Sequence, residues 1–318
     1  MKHVFVGGPG RSGTSAFVHR LQGWRAVTTF VDTELKLYSE LDGIWDLYWS
    51  FVECYSPQRA AGALARFRNL FADISGSGPG FVGLGDHLPA ADIARIVEGL
   101  AGSLTTPAGV PRRTGPDDFF SIVREMAGAI GELASFDPSV SPDKRLFVEK
   151  TPHCLLRIEL LERIGLDATY IHVMRDPRLV ARSLSRMPWG PGSLEACCDW
   201  VSEYIFQMQE VFAKARASGI VVHSFFIESV ARDGPAYARY LLDLFGLDED
   251  PGVFNSLDPA TLMPVSFDLE DADVQLLNSR LGELAASMGY DALNPGERRA
   301  GLTDRLEVPL GLDGAGWH

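Results

Sequence analysis

Hydrophobic and polar positions alternate between two rhythms along this chain. A short apolar run, Val4-Phe5-Val6, is bounded by polar and glycine residues and reads as a buried strand. A loop follows, then a helix over about 13–21. Residues 34–137 carry mainly helical spacing, interrupted by Gly/Pro-rich loops at 75–85 and 105–116. Further strands are expected at 145–149, 168–174 and 220–226, with helices after each; the clearest are 194–217 and about 235–245. Thr151-Pro152 and Asp176-Pro177 each pair an N-cap residue with a first-turn proline, which predicts a helix start at both places. Trp45, Tyr48, Trp49 and Val52 stand at i, i+3, i+4 and i+7, which predicts one helix face, read as core packing.

Strands that alternate with helices imply an α/β fold: three layers, P-loop-like, with a central, mostly parallel sheet and a helical insertion at about 37–140 over the site. The expected organisation is one domain over 1–295, followed by a loosely ordered Gly-rich tail at 296–318. Ligands of such sheets bind beyond the carboxyl ends of the strands, and each polar motif described below sits at such an end.

With 318 residues, the chain is long enough to bury a core without covalent staples. The 42 acidic against 29 basic side chains give a net charge of −13, which disfavours nucleic acid and other large polyanions as partners. A locally basic pocket for one small anion remains compatible with that balance. The four cysteines, Cys54, Cys154, Cys197 and Cys198, form no C-x-x-C pair, so neither a zinc site nor a disulfide framework is expected. Adjacent Cys197 and Cys198 read as helix core. No run approaches the roughly 18 apolar residues of a membrane span, and the N-terminal apolar segment runs straight into a glycine motif, so the expected location is cytoplasmic.

That motif is Gly7-Gly8-Pro9-Gly10-Arg11-Ser12-Gly13-Thr14-Ser15, between a strand and a helix. Glycines let backbone N–H groups approach an anion, and the helix start adds partial positive charge. Read from Gly8 the spacing is G-x-x-x-x-G-T-S, with Thr14 where a nucleoside triphosphatase carries lysine. Arg11 is the replacement cation. At the end of the 168–174 strand Arg175 comes first and Asp176 second, and Asp176 is well placed as an N-cap rather than as a metal ligand.

At these residues the chain resembles the PAPS-dependent sulfotransferase superfamily, in particular the branch with an R-S-G-T-[ST] loop that includes tyrosylprotein and bacterial sulfotransferases. The resemblance implies that Gly10, Arg11, Ser12, Gly13, Thr14 and Ser15 hold the 5′-phosphosulfate of 3′-phosphoadenosine 5′-phosphosulfate (PAPS). It also implies that Arg175, with Ser183 eight residues on, holds the 3′-phosphate. Lys150, at a strand end in Val148-Glu149-Lys150-Thr151-Pro152, is similar to the family lysine that stabilises charge on the departing nucleotide. Glu34 resembles the family's general base, with His153 as second candidate and His87 as third. The implied chemistry is in-line transfer of a sulfuryl group to a hydroxyl or amine of a small-molecule, glycan or lipid acceptor. Adenosine 3′,5′-bisphosphate (PAP) leaves, and no metal takes part. Two other classes stay open: a P-loop small-molecule kinase using ATP, Mg²⁺ and Asp176, and a non-catalytic nucleotide-binding protein.

Overall fold

The computed structural model describes residues 1–30, 34–39, 41–75, 89–135, 145–249, 251–254 and 270–293. The elements in chain order are β1 (Lys2–Gly7), α1 (Thr14–Leu21), β2 (Val27–Thr29), α2 (Ile44–Tyr48), α3 (Pro57–Ser75), α4 (Ala90–Ser103) and α5 (Pro116–Ser135). There follow β3 (Leu146–Lys150), α6 (Ile158–Ile164), β4 (Ala168–Met174), α7 (Pro177–Leu184), α8 (Leu194–Ala217), β5 (Val222–Phe226), α9 (Ile227–Arg232), α10 (Gly234–Phe245) and α11 (Asp271–Ser287). The fold is α/β: the strands form a five-stranded sheet in the order β2-β3-β1-β4-β5. Consecutive residues of β1, β3 and β4 are buried almost without break, so both faces of these strands are covered, as the apolar runs require.

Contacts divide the chain into two compact units. The first comprises 1–6 and 25–169. In it β3 pairs in parallel with both β1 and β2, with Val6 opposite Lys150 and Thr29 opposite Val148. Helices α2–α5 pack as a cluster through Tyr48, Phe67, Phe119 and Phe120, and α5 also reaches β2. The second comprises 7–24 and 170–318. Here β4 and β5 pair in parallel with His172 opposite Ser224, while α7, α8 and α11 pack on one another.

Most elements fall where the pattern places them, and α8 matches residue for residue. Three differences have local causes. Thr151-Pro152 does not open a helix: the chain turns there and a 3₁₀ helix begins at Cys154, because the Thr151 hydroxyl donates to the Glu149 carboxylate instead of capping. The tryptophan-rich face is broken, since α2 runs into a π-helical turn at Trp49–Glu53. That turn shifts the register, leaving Tyr48 and Val52 buried but Trp49 exposed. Strand β2 and helices α9 and α11 add to the expected set; β2 is only three residues long, too short to show a period. The expected tail at 296–318 and His87 lie outside the described residues. Cys197 and Cys198 are buried in α8. Among the described residues no helix is long and apolar enough to cross a membrane.

The start of α7 is secured by a buried ion pair. Asp176 caps the helix through the Arg178 N–H, and its two carboxylate oxygens take the Arg178 guanidinium at 3.0 and 2.8 Å. Arg178 also donates to Asn278 Oδ1 and to the Asp291 carbonyl, tying α7 to α11 and the segment after it. Arg178→Met leaves the Asp176 carboxylate buried without its counter-ion. It is expected to lower unfolding free energy by about 3–5 kcal/mol, measured by urea titration.

Buried histidines set a pH dependence. Burial holds His172 down to about 3 and lowers His3 as well, so both fold as neutral imidazoles. Stability from His172 is therefore full above the ordinary histidine value of 6.5. It is lost as pH falls from there towards 3, because the unfolded chain binds the extra proton. Between pH 6.5 and 5 the expected loss is about 1–2 kcal/mol. Denaturant titrations of wild type and His172→Leu across that range check it, the variant showing the shallower slope.

Candidate functional site

In the second unit the glycine loop is held in a conformation few sequences tolerate. A Cβ on Gly8 would lie 2.2 Å from the Val173 carbonyl oxygen and 2.7 Å from the Ser12 hydroxyl. A Cβ on Gly13, at φ +97°, would meet Ile227 at 2.8 Å. Both close approaches need glycine. Arg11 is also left-handed, at φ +75°, an unusual setting for a side-chain-bearing residue. Alternation into the left-handed region turns successive N–H groups towards one side, the geometry of an anion nest, and α1 starts at Thr14 just beyond it.

Two arginines and two serines converge on this loop. Arg11 extends an exposed side chain whose Nε donates to Ser183 Oγ at 3.1 Å. Arg175 Nη1 donates to the Arg11 carbonyl at 3.3 Å. Arg175 and Ser183 are buried, and Ser12 is fully so, its hydroxyl finding no hydrogen-bond partner among the described residues. Trp189, largely exposed, lies within 3.5 Å of the position a Gly10 Cβ would occupy.

Arg175 is not carried by solvent. Burial lowers its pKa, an effect opposed by the nearby carboxylates of Glu228 and Asp176 and reinforced by Arg11. Glu228 is buried in turn, which raises its pKa against the pull of Arg175. One carboxylate oxygen accepts the Asp176 N–H at 3.0 Å and the other accepts the Tyr290 hydroxyl at 3.1 Å. Glu228 and Tyr290 were not among the residues singled out from sequence. Glu228 lies two residues past β5, so the rule that polar residues at strand carboxyl ends matter would have found it. Tyr290, remote and in no motif, carried no such signal.

In the first unit the other candidates meet. Lys150 ends β3, opposite the Val6 that leads into the glycine loop. Its buried ammonium is 3.4 Å from Glu34 Oε1, and Lys36 Nζ is 4.0 Å from Glu34 Oε2. The backbone around Glu34 is fastened to the end of β3, because the Lys36 N–H donates to Thr151 Oγ1 at 3.1 Å and Thr151 donates to Glu149. Lys36 is left-handed at φ +52°, which turns the chain over this anchor. Buried Tyr38 is held above the ordinary tyrosine value by desolvation and by Glu149. His153, half-buried, stands at the N-cap position of the 3₁₀ helix, three residues after Lys150, and its side chain makes no cap bond. Asp32 and Thr33, beside Glu34 in sequence, lie outside the described residues.

The structure thus brings Arg11, Ser12, Arg175 and Ser183 around one loop in one unit, and pairs Glu34 with Lys150 in the other. A carboxylate beside an ammonium can accept a proton while the cation steadies developing negative charge. A glycine nest with two guanidinium groups beside it can hold an oxyanion.

No protein-family model matches the chain, and no curated protein is significantly similar to it. Among solved structures it is similar to the sulfotransferase domain of the olefin synthase from Synechococcus PCC 7002. That match has 17% identity and a TM-score of 0.42, over 88% of this chain and 94% of that one. It is similar also to sulfotransferase STF9 from Mycobacterium avium, at 15% identity and TM-score 0.44 over 92% and 78% of the two chains. A third is sulfotransferase STF1 from Mycobacterium tuberculosis H37Rv, at 14% identity and TM-score 0.37 over 89% and 76%.

The steric reading of the loop has a direct check. Gly8→Ala is expected to cost about 1–3 kcal/mol of unfolding free energy, because the strand carbonyl cannot move aside. Gly99→Ala, in α4 with open space around the new methyl, is expected to be neutral or to stabilise by about 0.5–1 kcal/mol. Urea titration of the pair gives both values.

Proposed function

We propose that this protein is a sulfotransferase that moves a sulfuryl group from PAPS to a hydroxyl or amine of a small-molecule, glycan or lipid acceptor. The observation that carries the reading is the double tie between the loop and the end of β4. Arg11 reaches Ser183 with its side chain and Arg175 with its carbonyl, so a lysine-free nest and an Arg–Ser pair eight residues apart form one cradle. The residues present fit the donor. Loop amides, Arg11 and the Ser12 hydroxyl would hold the 5′-phosphosulfate, with Gly10, Gly13, Thr14 and Ser15 shaping the nest, and Arg175 with Ser183 would hold the 3′-phosphate.

In this reading Glu34 takes the acceptor's proton as the acceptor oxygen or nitrogen bonds to sulfur. Lys150 and Arg11 stabilise the negative charge that collects on the bridging oxygen as its bond to sulfur breaks. PAP departs carrying the electron pair. His153 is the alternative proton acceptor. The Glu34–Lys150 ion pair supports the assignment, since it holds a base beside the cation its partner step needs. The kinase alternative would require Asp176 to bind Mg²⁺, but both of its oxygens are taken by Arg178.

Thermal unfolding with PAP, and separately with ATP with and without Mg²⁺, tests the reading. At about 100-fold excess over Kd, PAP is expected to raise Tm by a few degrees without metal. Arg175→Ala should weaken that response by tenfold or more in ligand concentration. Transfer of ³⁵S from labelled PAPS across an acceptor panel should then be lost in Glu34→Gln and Lys150→Ala, both keeping their PAP response. A shift with ATP and Mg²⁺ only would sink the sulfotransferase and favour the kinase. PAP binding with no transfer to any acceptor would favour the non-catalytic alternative.

A further inference from the structure

The second unit contains a cavity of about 430 Å³ that uses none of the residues described above as the anion cradle. It lies between the second half of α8 and the face of β4–β5 that bears His172 and Ser224. Those two residues are register partners on parallel strands, so their side chains stand next to each other on one face of the sheet. The volume falls within the range of small-molecule sites, roughly 300–1,000 Å³. Met208, Tyr204, Ile205 and Met174 give it buried apolar walls, while Ala213 and Arg216 lie exposed at its rim.

Its polar floor is unusual. His172 is 97% removed from solvent by its 3% exposure, and neither ring nitrogen has a hydrogen-bond partner among the described residues. The ring is fixed edge-on against Phe212, with centroids 4.8 Å apart, so it has a defined direction. Burial keeps it neutral, with one nitrogen donating and the other accepting. A desolvated imidazole without a partner is destabilising by comparison with one that has a partner, so the fold maintains a polar feature its own packing does not use. The apolar walls exclude a strongly hydrated ligand. A neutral imidazole cannot balance a full charge at the floor, which excludes an anion bound head-first.

We infer that this cavity is a binding site for an uncharged, mainly apolar small molecule carrying one hydroxyl group, which hydrogen-bonds to His172 beside Ser224. A hydroxyl both donates and accepts, so it suits either imidazole tautomer. The site shares no residue with the proposed sulfuryl-transfer cradle: its walls are α8 and the β4–β5 face that bears His172 and Ser224, and it reaches the end of β4 only through Met174.

Isothermal titration of the full chain with 1-naphthol, naphthalene and 1-naphthoate tests this, in the presence of saturating PAP. Side-chain spectra of protein labelled with ¹⁵N-histidine are recorded alongside. We expect 1-naphthol to bind about 3- to 10-fold more tightly than naphthalene, the difference one hydrogen bond makes, and 1-naphthoate to bind more weakly than either. The His172 ring resonances should shift with 1-naphthol, and His172→Phe should bring 1-naphthol down to the affinity of naphthalene. Ala213→Trp, at the exposed rim where folding is not at stake, should close the mouth and reduce all binding at least tenfold. The inference is overturned if 1-naphthol fails to bind. It is overturned equally if binding survives unchanged in both His172→Phe and Ala213→Trp, which would place the probe elsewhere, or if the anion binds best.

Discussion

Four charged side chains leave water together where β4 passes into α7, and the second unit is organised around making that tolerable. Asp176 and Arg178 satisfy each other as a two-point pair. Asp176, beside Arg175, is bonded to Arg178, so the compensation of Arg175 comes first from Glu228 after β5, steadied by Tyr290 beyond α11, and second from Asp176. Removing a charge from water costs several kcal/mol unless a partner is fixed beside it. The requirement therefore links the start of α7 to α9 and to the segment after α11. A guanidinium already desolvated and held by the protein has little hydration left to lose when an anion arrives. That is what makes a buried arginine a stronger phosphate ligand than a surface one.

The same logic, at smaller scale, shapes the first unit. Glu149 and Lys150 are adjacent on β3 and so point to opposite faces. One carboxylate oxygen of Glu149 accepts from Thr151, which in turn accepts from the Lys36 backbone, and Lys150 is paired with Glu34. One short segment, 34–38, thus answers both sides of a strand end. The left-handed turn at Lys36 is what lets a five-residue stretch do so.

Legibility from sequence followed how local each cause is. The apolar runs of β1, β3 and β4, the Asp-Pro start of α7 and the extent of α8 are written in neighbouring residues, and the structure agrees with them. Arg11 stands out as a candidate from its loop, and Arg175 and Ser183 from the resemblance; that Arg11 bonds to Ser183 across 172 residues is not legible in sequence. Glu228 and Tyr290 answer to a burial created by other elements, which no window of sequence contains. The same is true of Thr151, whose hydroxyl had a nearer acceptor than the helix it was expected to cap. The π-helical turn at Trp49–Glu53 inserts one residue into a helical count that otherwise looked regular, and periodicity has no symbol for that.

Arg11 carries its charge on a backbone that disfavours it. At φ +75° the left-handed region costs a side-chain-bearing residue roughly 1–2 kcal/mol that glycine would not incur. The fold would thus be sturdier with glycine at that place, in a loop already rich in glycine. A laboratory selection for heat resistance alone, run without demand for anion binding, would tend to erase the arginine. Its retention in a parallel selection that also demands anion binding would be a measure of how strongly function is being selected.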